Sequence, residues 1–327
     1  MILGSRATRL CGLVLGVGAA LVSACRPTAS PTQVRLPSPP RRPQLMFVSV
    51  AGDDTFHRVA VASLWAPSVG MFVTPLSCER VYFGGQRGLC LTSTTAGAAT
   101  SWWADVFDET FISLHRVPLT GSPSRVRVSS DGRLAAATVF ASGHSYADHR
   151  FSTVTTIIDL ERGVVIGDLE QFETRETGRP IHKADFNFWG VTFSRDNDTF
   201  FATLDTGGVS YLVKGSVQRK RMEVTRPGVE CPSLSPDNRR IAFKKRVGAR
   251  SRGWWQIAVV DLDTLAETVV NRETRSVDDQ VEWLDDTRIV YHLTGGSTAA
   301  DLWSVRVDNT EPPQQLLASA YSPAIVR

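Results

Sequence analysis

Residues 230–245 read ECPSLSPDNRRIAFKK: a strand, a tight turn and a second strand. Ser235-Pro236-Asp237-Asn238 carries type I turn chemistry. Pro236 pre-sets φ at the second turn position, while Ser235 and Asp237 hydrogen-bond nearby backbone. Beyond the turn, Ile241 and Phe243 alternate with polar or small neighbours, the period-two pattern of a half-buried strand. The block recurs. Ser130-Asp131-Gly132 precedes a strand over 134–140, and Arg195-Asp196-Asn197 precedes one over 200–204. Asp285-Asp286 follows Val281 and Trp283 and precedes a strand over 289–293, and a degenerate copy runs from Tyr82-Phe83 through a glycine-rich link to Leu89-Cys90-Leu91. A supersecondary unit repeated along a chain decides the fold.

The spacing predicts the architecture. Arg87 to Asp131 spans 44 residues, Asp196 to Asp237 spans 41 and Asp237 to Asp285 spans 48. Six units of about 47 residues fill 44–327, near the ~40–50 residues of known propeller repeats. The longer interval of 65 from Asp131 to Asp196 places an insertion in one unit, at the polar stretch 171–183. Three apolar strands entering tight turns, at 156–160, 258–262 and 302–306, suit the third strand of a four-stranded blade. The tail 321–326 reads as an opening strand that completes the first blade, so the ring closes without long edges. The expected fold is all-β: a six-bladed β-propeller of four-stranded antiparallel blades over 44–327.

Laid together, these repeats resemble the TolB-like propellers and the PD40, or WD40-like, repeat family. The resemblance covers most of 120–327 and is best at 232–243 followed by 256–262. It implies a six-bladed propeller outside the cytoplasm. The separate N-terminal α/β domain of TolB has no counterpart in this chain, so the family's role in its own envelope system does not carry over.

The first 43 residues read differently. Arg6 and Arg9 precede an apolar run over 10–22 followed by small residues, the pattern of a secretory signal. The run is shorter than the ~20 residues of a membrane span. Val22-Ser23-Ala24-Cys25 resembles the lipobox of bacterial lipoproteins, with valine where leucine is usual. That resemblance implies a signal peptide over 1–24, cleavage before Cys25, and acyl chains on Cys25 that hold the protein to the cell membrane. Residues 25–43 then form a tether whose prolines exclude helix and sheet and favour an extended chain.

The formal charge of +3 is set by this segment, which holds six arginines and no acid, leaving 30 basic against 33 acidic residues in the rest. With an export signal, that balance excludes a generic nucleic-acid binder. Charge is uneven within the repeats. Residues 214–252 hold twelve basic and three acidic residues, and 261–286 hold nine acidic and two basic. Either the two stretches pair across blades, or Arg219-Lys220-Arg221 and Lys244-Lys245-Arg246 converge on an edge that meets anionic lipid or wall polymer.

Cys78 and Cys90 flank a short glycine-rich stretch. Either they pair, which suits an oxidising compartment and contributes about 3 kcal/mol, or they stay free along with Cys231. Trp102-Trp103, in a loop over 93–105, and Trp254-Trp255, at a strand entrance, are candidate rim anchors; the alternative is burial between blades. His144, His149 and His182, with Asp148 and Asp185, are weak candidates for holding a divalent ion, because spacing this loose is common by chance. No cofactor motif is present. Gly208-Val209-Ser210-Tyr211 fails the nucleophile-elbow pattern at Leu212, and His-Glu-x-x-His does not occur. The sequence therefore predicts a monomeric, non-enzymatic, lipid-anchored propeller outside the cytoplasm, presenting a face to an envelope protein or glycan. The alternative is an enzyme or carbohydrate-binding protein that uses the central funnel.

Overall fold

The computed structural model describes residues 34–52, 54–142, 151–248, 254–294 and 300–327. Strands dominate because β-branched and aromatic residues alternate with polar ones between turn signals. The described strands form six sheets, each a blade of the predicted propeller. Blade two comprises Arg80–Gly84, Arg87–Ala96, Ala99–Asp108 and Ser113–Leu119. Blade three comprises Ser122–Val128, Leu134–Ser142, Ser152–Asp159 and Val164–Asp168. Blade four is built on Asn187–Phe193, Thr199–Thr206, Val209–Ser216 and Arg221–Pro227. Blade five comprises Glu230–Leu234, Arg240–Val247, Trp254–Asp261 and Glu267–Val269, and blade six Glu282–Trp283, Arg288–Thr294, Ala300–Arg306 and Gln314–Leu317. Counted from the axis, each blade has a first to a fourth strand.

The C-terminal strand Ala320–Val326 is the first strand of blade one. It pairs antiparallel with Gln44–Ser49, Leu45 facing Ile325 and Met46 facing Ala324. Arg58–Ser63 and Gly70–Ser77 follow outward. Each first strand touches the next around the axis, and that of blade six touches that of blade one. The core explains why: the apolar side chains cluster in layers between blades. Met46, Val61, Phe83 and Phe107 fill the gap between blades one and two, Leu89, Val106, Val128 and Ile158 that between two and three, and four further layers fill the rest. A single blade would leave both faces wet, so the apolar burial that holds the fold together exists only in the assembled ring.

Two blades exceed four strands. Insertion residues Glu173–Glu176 and Arg179–Ile181 form a hairpin on the outer edge of blade four, Glu173–Glu176 running parallel to Arg221–Pro227. Val34–Arg35 adds a short parallel strand to Gly70–Ser77. The tether thus joins the sheet at its end, where Val34, Arg35 and Leu36 lie between prolines and keep their amides, that of Leu36 donating to the Met71 carbonyl at 2.8 Å.

The repeated turn has one chemistry. Asp237 Oδ1 accepts hydrogen bonds from the Ser235 hydroxyl and from the Arg239 amide at 3.0 Å. Asp131 Oδ1 accepts from the Ser129 hydroxyl at 2.7 Å and the Arg133 amide at 3.1 Å. Asp196 Oδ1 takes the amides of Asp198 and Thr199, and Asp285 Oδ1 those of Thr287 and Arg288. The residue after the aspartate adopts positive φ in three of these turns: 75° at Gly132, 56° at Asn197 and 61° at Asn238. Glycine and asparagine are the residues that enter this region at least cost. The degenerate copy in blade two places Gly85 in the same region, at 57°, and its Gly84 serves close approach. A Cβ on Gly84 would lie 2.2 Å from the Ser129 carbonyl oxygen, so blade two's turn sits against blade three's backbone.

Among the described residues the only helical element is a single 3-10 turn, Leu169–Gln171, and no helix is long and apolar enough to cross a membrane.

Candidate functional site

The first strands bring side chains from all six blades to the axis, and there the chain matches its own charges. Arg127 of blade three forms a salt bridge to Glu282 of blade six, the blade opposite, with both side chains buried. Arg127 also donates to the Val281 carbonyl at 3.1 Å and lies 4.6 Å from the centre of the Tyr82 ring. The Tyr82 hydroxyl donates to Glu282 at 2.9 Å. Burial, and then the Glu282 charge, push the Tyr82 phenol above its ordinary value.

A second layer centres on Asp279. Arg80 lies at 3.2 Å, Arg125 at 3.1 Å and His292 Nδ1 at 2.5 Å from its carboxylate. Burial alone would raise this carboxyl, but Arg125, Arg80 and His292 hold it well below the usual carboxylate range. Beside it Gln280 donates to the carbonyls of Pro232 at 2.7 Å and Val191 at 3.0 Å, and the Trp283 indole donates to the Ser233 carbonyl at 2.8 Å. The inner part of blade six, 277–283, is short and irregular because its polar groups bond to other blades rather than to a sheet partner.

These layers close the channel. On the face carrying the first-to-second and third-to-fourth strand turns, a mouth of about 170 Å³ remains, lined by Tyr82, Arg127, Arg195, Asn238, Glu282 and Arg327 among others. On the opposite face lies a hollow of about 390 Å³ lined by His57, Cys78, Glu79, Arg80, Thr92, Ser93, Pro123 and Tyr321. His57 has φ 59° and stacks on the half-exposed ring of Phe56 at 4.3 Å. Burial pushes the Tyr321 phenol up to about 12.

The basic runs do not share an edge. Arg219-Lys220-Arg221 straddles the third-to-fourth strand turn of blade four, where the Lys220 ammonium donates to the Ile166 carbonyl at 2.8 Å. Lys244, Lys245 and Arg246 lie in the far half of the second strand of blade five, toward the opposite face. The Lys244 side chain is fully buried, held by Asp278 and lying 4.2 Å from the centre of the Trp255 ring. Lys245 pairs with Glu267, and Arg246 stacks over Trp255 at 3.7 Å and lies 3.6 Å from Glu230. Lys244 therefore offers nothing to a partner, and much of the basic stretch is neutralised by the acidic one, including Arg226 by Glu267 at 2.6 Å.

The tryptophan pairs differ from their expected setting. Trp102 and Trp103 lie not in a loop but in the third strand of blade two, part of a long hairpin with ten-residue arms. Ten-residue runs pair here because only Gly97 and Ala98 interrupt them. Both rings are partly exposed. Trp103 donates to the Thr94 hydroxyl at 2.9 Å and carries Arg116 over its face. Trp254 is half-buried, whereas Trp255 is buried between its two cations.

Cys78, in the crossing from blade one to blade two, is joined to Cys90 in the second strand of blade two, with Cα atoms 5.4 Å apart. Cys231 is a buried free thiol. His182 is exposed and packs on Phe186. Asp185 is spent on blade four, accepting from the Thr206 hydroxyl and the Gly207 amide at 2.7 Å each. Cys25, His144, Asp148 and His149 lie outside the described residues, among which no group of three or more His, Cys, Asp or Glu is placed to hold a metal ion.

The axis was invisible to sequence reasoning, since Arg127 and Glu282 are 155 residues apart. The one usable signal was the cluster of Asp278, Asp279 and Glu282 at and just before the opening strand of a blade, a position that propeller geometry aims at the axis.

No protein-family model and no curated protein matches the sequence. Solved structures do. TolB from Acinetobacter baumannii superposes with a TM-score of 0.57 at 13% identity, covering 87% of this chain and 67% of that one. A chain of a nidogen/laminin complex superposes with a TM-score of 0.55 at 8% identity, covering 86% and 97%. Likeness at such identity speaks for the fold alone, and the fold of this chain is a six-bladed, TolB-like β-propeller.

Proposed function

We propose that this chain is a non-enzymatic interaction scaffold of the bacterial cell envelope, lipid-anchored through Cys25 and working outside the cytoplasm. The observation that carries the scaffold reading is the closed axis. The buried acids that converge there, Asp279 and Glu282, are matched by Arg80 with Arg125 and by Arg127, and the exposed Asp278 beside them holds the buried Lys244. A buried acid already committed to a cation has no proton to trade with a substrate, so general acid–base work has no free group at the axis. What remains for recognition is the rim: loops fixed on packed blades lose little entropy on binding. The partner is an envelope protein or glycan.

A disulfide between Cys78 and Cys90 supports a location in an oxidising compartment, and the lipobox supports the anchor. Crosslinking in intact cells followed by mass spectrometry tests the scaffold. Recovery of the same envelope component at several rim positions is the expected result, and recovery of nothing beyond random neighbours refutes it. Labelling with a palmitate analogue tests the anchor: the label disappears in Cys25→Ala, and unchanged labelling in that variant removes the lipoprotein reading.

One observation favours a second reading, a small polar ligand bound on the axis side. The 390 Å³ hollow gathers His57, Glu79, Thr92, Ser93 and Tyr321. Tyr321→Ala would abolish sugar binding there and leave rim crosslinks unchanged.

A further inference from the structure

Large apolar side chains stand exposed at the third-to-fourth strand turns of several blades, Leu265 of blade five and Val164 and Val165 of blade three among them, and four lie on blades one and two, where the tether joins the ring. Trp65 is 77% exposed and Val69 68%, both in the turn between the third and fourth strands of blade one. Val34, 62% exposed, pairs with Gly70, the residue after Val69. Leu64 donates its amide to the Pro43 carbonyl at 3.2 Å, which brings Trp65 beside the exposed Arg41 and Arg42. Arg42 in turn reaches Glu109 at 3.4 Å, at the equivalent turn of blade two, where Ile112 is 61% exposed. Blades one and two are distinguished by carrying the most exposed of these residues, a tryptophan among them, on neighbouring turns, and exposed apolar surface of this kind marks a face that is covered in use.

The length of the tether says what covers it. Nine residue steps separate Cys25 from Val34, which fully extended reach about 30 Å. An acyl chain on Cys25 therefore holds Val34 within about 30 Å of the bilayer, and the first part of the ring it brings down is this corner. The composition suits the headgroup layer: a tryptophan, short aliphatic side chains and the exposed Arg41 (Arg42 being spent on Glu109), a mix that settles at the boundary of an anionic leaflet. We infer that the corner formed by Val34, Trp65, Val69 and Ile112 rests in the headgroup layer of the membrane that anchors Cys25. The inference builds on the anchor proposed above. The ring is then held by two points rather than one, and the opposite face, with the hairpin of blade two and the 390 Å³ hollow, is turned away from the membrane.

The test separates this docking from the anchor itself. The mature chain, 25–327, is coupled through the Cys25 thiol to a maleimide-headgroup lipid in phosphatidylglycerol–phosphatidylethanolamine vesicles whose acyl chains are dibrominated near the headgroup. The coupling supplies an anchor whether or not a cell acylates Cys25. Bromine quenches tryptophan only on contact depth, so the wild-type chain loses part of its emission and Trp65→Phe recovers most of that loss. In unbrominated vesicles the two proteins differ only by the emission of one indole, which controls for folding. Wild-type emission unaffected by bromine, or quenching that persists in Trp65→Phe, overturns the docking and gives the patch to a protein partner. Protein purified from cells with no acyl mass on Cys25 sinks the anchor alone, because the coupled protein still reads the corner.

Discussion

The turn ring and the axis hold the same six blades in opposite ways. At the turns, blades three to six repeat one device, an aspartate that accepts two nearby groups of its own hairpin. At the axis nothing repeats: a salt bridge joins blade three to blade six, a glutamine joins six to four and five, and a tyrosine joins two to six. The turns define each blade, and the axis defines how blades sit around each other. Local contacts are cheap to copy along a chain, whereas contacts across the ring must be made once, and each fails separately.

The sharpest way to break this comparison is at the Arg127–Glu282 pair. Arg127→Ala leaves Glu282 buried without its cation, which costs roughly 3–5 kcal/mol. Arg127→Met combined with Glu282→Leu removes both charges and costs far less, because no uncompensated ion remains. Urea denaturation of the two variants reads the difference. Equal losses would mean that the pair acts through packing and that the axis is not an electrostatic closure.

A second region tests burial without a cation. Glu170 follows the last strand of blade three, and its carboxylate oxygens accept the Thr155 amide at 3.2 Å, taking over where the sheet ladder stops at Asp168. Desolvation pushes this carboxyl up to about 8. Between the unfolded value of 4.5 and about 8 the folded chain keeps a proton that the unfolded chain has lost. Its stabilising effect is complete below 4.5 and disappears as pH rises through 8, unlike that of Asp279, which is lost on acidification. Glu170→Gln, which keeps an oxygen for Thr155, flattens this slope and gains roughly 4 kcal/mol at pH 8.5 relative to pH 5. Melting curves at the two pH values check it, and a parallel pH response in both proteins would remove Glu170 as its source.

What was legible in the sequence follows the same division. Ser235-Pro236-Asp237-Asn238 and its copies announced the hairpins because every partner lies within five residues. The tail 321–326 was legible as a blade's first strand because its pattern matched the other openings. The insertion 171–183 was placed by the long interval from Asp131 to Asp196. The Arg127–Glu282 pair was not legible, since a pairwise contact across a ring leaves no spacing to count. The role of Lys244 was misleading for a related reason. Three successive cations look like a solvated patch in one dimension, but successive side chains of a strand face opposite ways, and this one points inward to Asp278. The exposed corner at Trp65 also left no mark, because one tryptophan in a short turn looks like any other until its surroundings are known.

The smallest effect concerns the repeat itself. Asp131→Ala, Asp196→Ala and Asp237→Ala each remove a carboxylate that accepts two groups of its own turn, and each costs about 1 kcal/mol. The three values agree to within a few tenths if the turns are truly equivalent, and the variants add when combined, because the sites lie in different blades and share no partner. Asp237 is the informative case. Its amide also donates to Asp286 of blade six at 3.0 Å, and that bond survives the substitution because it uses backbone. A cost at Asp237 well above the other two would show that the turn of blade five also carries a between-blade contact through its side chain, and that the aspartate turns are not independent copies.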